Sequence, residues 1–179
     1  CGVSINNALA SGVNMLGDIH GGAGQQALEL YLNIAQRMHS NEDLDDAVTA
    51  GLYEWSLANG RFIPGFGHRF HKKQDPRSTR LMELVAEASA RGHISGKFKK
   101  ISQRVEKVLA KEKGQPIPMN VDGSTAVIFA ELGCNPIIAR GLFCLSRSVG
   151  ILAHSYEQSQ RSERNKGPTP PKYLWKYSG

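Results

Sequence analysis

Apolar positions recur at helical spacing along most of the chain. Leu28, Tyr31, Leu32, Ala35 and Met38 fall at i, i+3, i+4 and i+7 intervals, which places them on one face of a helix. Ser40-Asn41 offers a cap for a second helix carrying Leu44, Val48, Leu52 and Trp55, with acids in its first turn. Leu81, Leu84, Val85 and Ala88 mark a third, with Gly92 as its stop signal. Ile101, Val105, Val108 and Leu109 mark a fourth, ended by Gly114 and Pro116. Asp122 heads a fifth through Val127 and Ile128. Pro136 opens a sixth, in which Leu142, Leu145, Val149 and Leu152 predict a buried stripe. Strand signals are nearly absent, so the expected fold class is all-α.

Composition narrows this only a little. The 179 residues are 40% hydrophobic and 21% charged, enough for one domain with a core or for two small lobes. No apolar run approaches the roughly 20 residues of a membrane span, and no secretory leader opens the chain. It begins at Cys1 without a methionine, which predicts a start inside a longer gene product. Cys1, Cys134 and Cys144 have no CxxC spacing and sit among apolar neighbours, so they read as reduced, buried thiols of a cytoplasmic protein. A net charge of +6 favours anionic partners without choosing among them. The proline-rich tail carries Tyr173, Trp175 and Tyr177 and reads as an extended arm.

Four polar clusters could carry chemistry. In Gly17-Asp-Ile-His20-Gly-Gly-Ala-Gly24 a histidine stands at the entry to a helix, where the dipole keeps an imidazole neutral and able to donate to an enolate. A glycine turn with an incidental histidine is the alternative. The loop Pro64-Gly-Phe-Gly-His68-Arg-Phe-His71-Lys-Lys-Gln-Asp75-Pro-Arg77 sets a histidine behind a glycine turn and a guanidinium nine residues later. Gly65 and Gly67 permit close approach of a ligand to the main chain. Asp75-Pro76 reads as a turn that breaks the chain before the next helical segment. His68-x-x-His71 lacks a matching Cys/His pair for zinc, so no metal is expected.

In Pro118-Met-Asn120-Val-Asp122-Gly123 the aspartate is either a helix cap or a general base. The last cluster, Arg147-Ser-Val-Gly150-Ile-Leu-Ala-His154, puts a charge off the centre of an apolar stripe. That charge calls for an anionic partner, Gly150 lets something approach the helix, and His154 reads as a packing residue. Lys97, Lys99, Lys100, Arg104, Lys107, Lys111 and Lys113 form a basic run, either a solvated face or a landing strip for phosphates. No aromatic interleaves after Phe98, which argues against stacking on single-stranded nucleic acid.

Together, in this order, the four clusters resemble the citrate synthase family. That family carries His-Gly-Gly, then Pro-Gly-(aromatic)-Gly-His…Asp-Pro-Arg, then Asn-Val-Asp, then an arginine in a late helix ending Gly-x-x-Ala-His. The likeness covers the chain to about Glu157. It implies a two-domain helical fold and a homodimer or higher homo-oligomer, with the active site between the domains. Residues 21–121 would form the small domain, and residues 1–20 and 122–179 part of the large one. The family also has a long helical segment, with another substrate-binding histidine, before the element that matches His20.

The resemblance makes Asp122 the base that takes a proton from the methyl of acetyl-CoA, while His20 hydrogen-bonds the thioester oxygen. His68 would polarise the ketone of oxaloacetate, and Arg77 and Arg147 would hold carboxylates in bidentate pairs, with Asn120 beside them. The same residues serve the reverse cleavage of citryl-CoA, and 2-methylcitrate synthesis is a related alternative. Asn120-Val-Asp122-Gly123 and the tail resemble the citryl-CoA lyase module of ATP-citrate lyase, whereas His20-Gly-Gly-Ala is synthase-like. Coenzyme A would enter as a thioester substrate rather than a bound cofactor. It would lie along Ile63, Gly65 and Gly67, with Lys111 or Lys113 near its phosphates. A serine hydrolase fails because no Gly-x-Ser-x-Gly elbow exists. An inactive fragment or interaction module of the same family is the non-enzymatic alternative.

Overall fold

The structure, a computed structural model, describes residues 2–39, 43–161 and 172. Every regular element among them is a helix: α1 (Ile5–Asn14), α2 (Ala23–His39), α3 (Leu44–Asn59), α4 (Pro76–Ala90), α5 (Lys97–Lys113), α6 (Val121–Glu131) and α7 (Pro136–Ser159). Extended pairing among the described residues is confined to two single bridges, Gly17 with Gly21 and Phe66 with Met119. The expected all-α class and its six helices are present. Helix α1 is the addition; none of its residues is buried.

The chain divides into two compact units, residues 16–145 and residues 1–15 with 146–179. The larger unit holds the core. Its centre is α2, which presents Ala27, Leu28, Leu30, Tyr31 and Ile34 to α3, α5 and α6. Val48 and Leu52 of α3, Ile101, Val105 and Leu109 of α5, and Ala126 and Val127 of α6 close around it. Of the basic residues of α5, Lys100, Lys107, Lys111 and Lys113 are exposed, Lys97 donates to the Ala35 carbonyl of α2, and Arg104 pairs with Asp45 at 2.6 Å. This unit takes in α6 and the start of α7 together with residues 21–121.

In the smaller unit α1 approaches α7 where Gly12 meets Ile151; a Cβ on Gly12 would lie 2.6 Å from Ile151 Cγ2. The close approach is therefore at Gly12. Nothing lies within 4 Å of a Cβ built on Gly150.

Several local readings are corrected by the tertiary structure. The expected caps Ser40 and Asn41 lie outside the described residues, as do Cys1 and the tail aromatics. Helix α3 is capped by Asp43, whose carboxylate accepts from the N–H groups of Asp45 and Asp46. Asp75-Pro76 does mark the point where the loop ends and the next helix begins. Asp75 caps α4, and Pro76 occupies its first turn, where a missing N–H costs nothing. Helix α5 follows Gly96, which has no side chain to cap it, and Glu131 of α6 serves instead. Its carboxylate accepts from the N–H groups of Gly96 and Phe98 and from the Ser95 hydroxyl.

Helix α7 departs most from expectation. The row Leu142, Leu145, Val149 and Leu152 is 37–66% exposed at its first half and 68% and 42% exposed at its second, not buried. Apolar spacing reports which residues share a face, but burial needs a neighbour over that face. By length and composition α7 is also sufficient to cross a membrane, with 24 residues and a mean hydropathy of 1.4 in its most apolar stretch. The expectation that no run approached that length missed this because Arg140 and Arg147 interrupt it; averaged over the helix, they do not outweigh the rest. His154 is exposed beside Glu157, 3.5 Å away, rather than packed. Cys134 and Cys144 are free thiols but only half-buried.

Candidate active site

Two backbone segments make the floor of the site. Residues 65–67 run antiparallel to 118–120: Gly67 N–H donates to the Pro118 carbonyl at 2.7 Å, and Asn120 N–H to the Gly65 carbonyl at 2.9 Å. Gly65 is needed here. Its φ is +84°, and a Cβ would stand 2.7 Å from Gly123 Cα. The reverse contact is tighter still, since a Cβ on Gly123 would lie 2.3 Å from the Gly65 carbonyl oxygen. The first turn of α6 therefore packs directly against Gly65. Ile63 to Phe66 are buried, and Gly67 is half-exposed.

Asn120 ties the two segments to the helix. Its Nδ2 donates to the Gly67 carbonyl at 2.8 Å, and its Oδ1 accepts from Asp122 N–H at 2.9 Å and Gly123 N–H at 3.2 Å. Asn120 is thus the cap of α6, and the capping reading of Asp122 is overturned. Asp122 lies half-buried in the first turn with its carboxylate uncommitted to the cap. Burial pushes that carboxyl above its usual range; Arg77, His20 and His68 pull it back, and Asp75 adds a smaller upward push. The four groups that act on Asp122 come from two separate parts of the sequence, the His20 turn and the 64–77 loop.

His68 is held by the loop that follows it. Its Nδ1 accepts from the N–H groups of Phe70 and His71, both at 3.1 Å. A neutral imidazole that accepts at Nδ1 carries its proton on Nε2, so the proton-bearing edge is turned away from the loop. The His71 ring stacks on it at 4.6 Å. The Nε2 edge meets Nη2 of Arg77 at 3.4 Å. Two donors converge there, and what satisfies both is an acceptor oxygen.

Arg77 is also held by Asp75. The buried carboxylate accepts from Nε at 3.0 Å, from Nη2 at 2.8 Å and from the backbone N–H of Arg77 at 3.0 Å. This pairing pulls the Asp75 carboxyl down to about 2 and raises the arginine. It also limits the bidentate grip expected of Arg77, because one of its forked edges is taken. Behind Asp75 a cavity of 380 Å3 lies between α4 and α5, lined in part by Ser78, Met82, Gln103 and Met119.

His20 stands exposed in the turn before α2, where its carbonyl accepts from Gly17 N–H at 2.9 Å. The turn is anchored by Asp18, which pairs with Arg140 at 2.6 Å. Gly24, one turn on, faces the Asp122 carbonyl and Thr125 of α6. Arg147 belongs to the smaller unit and is exposed there, and Lys111 and Lys113 are exposed in the last turn of α5. No group of three His, Cys, Asp or Glu side chains among the described residues is placed to share a metal ion.

Sequence reasoning missed Asp75 as the partner of Arg77, and Asp18 as the anchor of the His20 turn. The Asp-Pro-Arg string is the signature of a capped helix start, and could have revealed the first. Asp18 and Arg140 are 122 residues apart, and nothing local announces them.

In this all-helical fold a half-buried carboxylate shares its field with two imidazoles and a guanidinium. The chain belongs to the citrate synthase family: the profile described as "Citrate synthase, C-terminal domain" matches residues 2–169. It is 32% identical over 148 residues to a citrate synthase of Acidithiobacillus ferridurans, covering 80% of this chain and 36% of that protein. Against a citrate synthase of a Synechocystis species it is 35% identical over 153 residues, covering 84% and 36%. The fold matches the solved structure of citryl-CoA lyase from Hydrogenobacter thermophilus with a TM-score of 0.78 and 30% identity, covering 99% of this chain and 65% of that one. The chain thus spans about a third of the length of these two citrate synthases.

Proposed function

We propose that the protein makes or breaks the carbon–carbon bond between the methyl group of an acyl-CoA thioester and the ketone carbon of a 2-keto dicarboxylate. Acetyl-CoA and oxaloacetate are the substrates in the forming direction, and citryl-CoA is the substrate in the other. The observation that carries this reading is the setting of Asp122. Its carboxyl is raised by burial and lies in the fields of His20, His68 and Arg77. A carboxylate moved toward neutrality is a better proton acceptor from carbon than an exposed one.

In synthesis Asp122 takes a proton from the methyl group, and His20 donates to the thioester oxygen as enolate character develops. The Nε2–H of His68 and the free edge of Arg77 meet the keto acid's oxygens, Asn120 keeps Asp122 in register, and Arg147 holds the distal carboxylate. His68 yields its proton to the new alkoxide. In cleavage His68 takes the alcohol proton of citryl-CoA, and Asp122 returns one to the enolate. Positioning and preorganised donors supply the acceleration, with no metal or redox cofactor in the scheme.

Coenzyme A runs past Ile63, Gly65 and Gly67, with Lys111 or Lys113 at its phosphates. Because Ile63 and Gly65 are buried, the contact falls on the half-exposed rim at Gly67. Residues 21–121 act as the small domain and the remainder as part of the large one. The whole works as a cytoplasmic homodimer or higher homo-oligomer, free of membrane and nucleic acid, with the apolar row of α7 as a packing face.

The same residues serve both directions: the Asn-Val-Asp-Gly string resembles the citryl-CoA lyase module, and the His20-Gly-Gly-Ala string resembles the synthases. Incubating the complete protein with oxaloacetate plus acetyl-CoA, and separately with citryl-CoA, while following free CoA and oxaloacetate, tests both directions. Propionyl-CoA in the first assay tests the 2-methylcitrate alternative. No turnover in any of these would leave the interaction-module reading standing.

A further inference from the structure

We propose that Asp75 is a positioning residue for the keto-acid site: its carboxylate occupies the Nε–Nη2 edge of Arg77 and leaves the Nη1–Nη2 edge, beside His68, as the forked face open to a substrate. This rests on the reading of Arg77 and His68 given above. Asp75 is 1% exposed, and the three hydrogen bonds to its carboxylate all come from Arg77. The Arg77 side chain, by contrast, is 51% exposed. An arginine that open would sample many rotamers, so its fixed position is supplied by the carboxylate behind it. Asp75 is itself pinned. Pro76 restricts the backbone after it, and its carbonyl accepts from Thr79 N–H at 3.1 Å and Thr79 Oγ1 at 3.2 Å.

The arrangement has two consequences for a ligand. A carboxylate cannot take the Nε edge, so it must bind end-on, with one oxygen drawn toward the point where Nη2 and His68 Nε2 converge, 3.4 Å apart. That fixes where the adjacent ketone lies relative to His68. Second, Asp75 offsets the charge of Arg77 close to Asp122. Arg77, His20 and His68 pull the Asp122 carboxyl down, and Asp75 opposes them. Removing the Asp75 charge leaves Arg77 unopposed, so the Asp122 titration moves to lower pH.

The test compares wild type, Asp75→Asn and Asp75→Glu in the complete protein, by calorimetric titration with oxaloacetate and by steady-state kinetics across pH. Asparagine keeps the α4 cap, because Asn and Asp cap about equally well, but it cannot accept from both Nε and Nη2. The expected result for Asp75→Asn is a rise in KM and Kd for oxaloacetate of about tenfold or more, with a smaller fall in kcat and the acid limb of kcat/KM shifted to lower pH. Asp75→Glu keeps the charge and recovers part of the affinity, its extra methylene accommodated by the 380 Å3 cavity. Wild-type KM and pH profile in Asp75→Asn, with only the melting temperature changed, would reduce Asp75 to a cap and overturn the proposal. If Asp75→Asn does not fold, Asp75→Glu decides: an oxaloacetate Kd raised above wild type, with only a small change in melting temperature, supports positioning, and wild-type Kd and KM overturn it. A folded wild type that binds no keto acid removes the reading of the site itself, and this proposal with it.

Discussion

Asn120 accepts the backbone N–H of Asp122 at 2.9 Å and so relieves the aspartate of the capping duty its place in the sequence suggested. Removing the Asp122 carboxylate should therefore leave α6 intact. Because burial raises this carboxyl, its charge costs stability at neutral pH. Asp122→Asn is expected to melt at or slightly above the wild-type temperature while turnover falls roughly 10²- to 10⁴-fold. Thermal melts paired with the citryl-CoA assay check this, and near-normal activity would remove Asp122 from the chemistry.

Gly123→Ala should be far more damaging than a one-carbon change suggests. The new Cβ would stand 2.3 Å from the Gly65 carbonyl oxygen, a backbone atom with no freedom to turn aside. Overpacking of this kind costs about 1–3 kcal/mol, and here it pushes apart the two segments that hold His68 and Asp122. Denaturant midpoints and turnover should fall together. A variant as stable as wild type would show that the 65–67 loop yields readily.

Arg77→Lys and Arg147→Lys keep the charge and lose the planar fork, so both should weaken keto-acid binding. They should differ in stability. Lysine at 77 cannot reproduce the Nε and Nη2 bonds to buried Asp75, so that variant also melts earlier, whereas Arg147 is exposed and its replacement leaves the melt unchanged. Binding titration and calorimetric melting of each separate the two effects. A change in stability alone at 147 would make that arginine structural.

The Asp75–Arg77 pair also predicts a signed pH dependence. Folding lowers the Asp75 carboxyl from 3.8 to about 2. A depressed carboxylate contributes stability that is present above its unfolded value and lost as pH falls through the folded one, here between about 4 and 2. At about 1.4 kcal/mol per unit the contribution is on the order of 2 kcal/mol. The stability gap between wild type and Asp75→Asn should be open at pH 6 and should close toward pH 2. A gap constant across that range would contradict the pairing.

The open row Leu142, Leu145, Val149 and Leu152 on α7 predicts self-association of the 179-residue chain. Light scattering after size exclusion should give a mass above the monomer's 19.6 kDa, and Leu145→Glu with Val149→Glu should lower it. A monodisperse monomer at high concentration would show that this face needs no cover.

Helix placement was legible in the sequence because it depends on neighbours three and four residues apart. Leu28, Tyr31 and Ala35, or Ile101, Val105 and Leu109, could be assigned to faces without knowing what covers them. The candidate chemistry was legible for a related reason: His20, His68, Arg77, Asn120 and Asp122 sit in short strings whose order carries the family likeness. Residue roles that depend on partners across the fold were not legible. That Asn120 rather than Asp122 caps α6 depends on the carbonyl of Gly67, 53 residues away. That Gly65 makes room for Gly123 depends on where α6 begins. That Arg77 is gripped from behind depends on Asp75 being buried by α4 and its neighbours. The apolar stripe of α7 was read correctly as a face and wrongly as a core. Periodicity is a property of the chain, but burial is a property of whatever packs against it, and only the tertiary structure decides that.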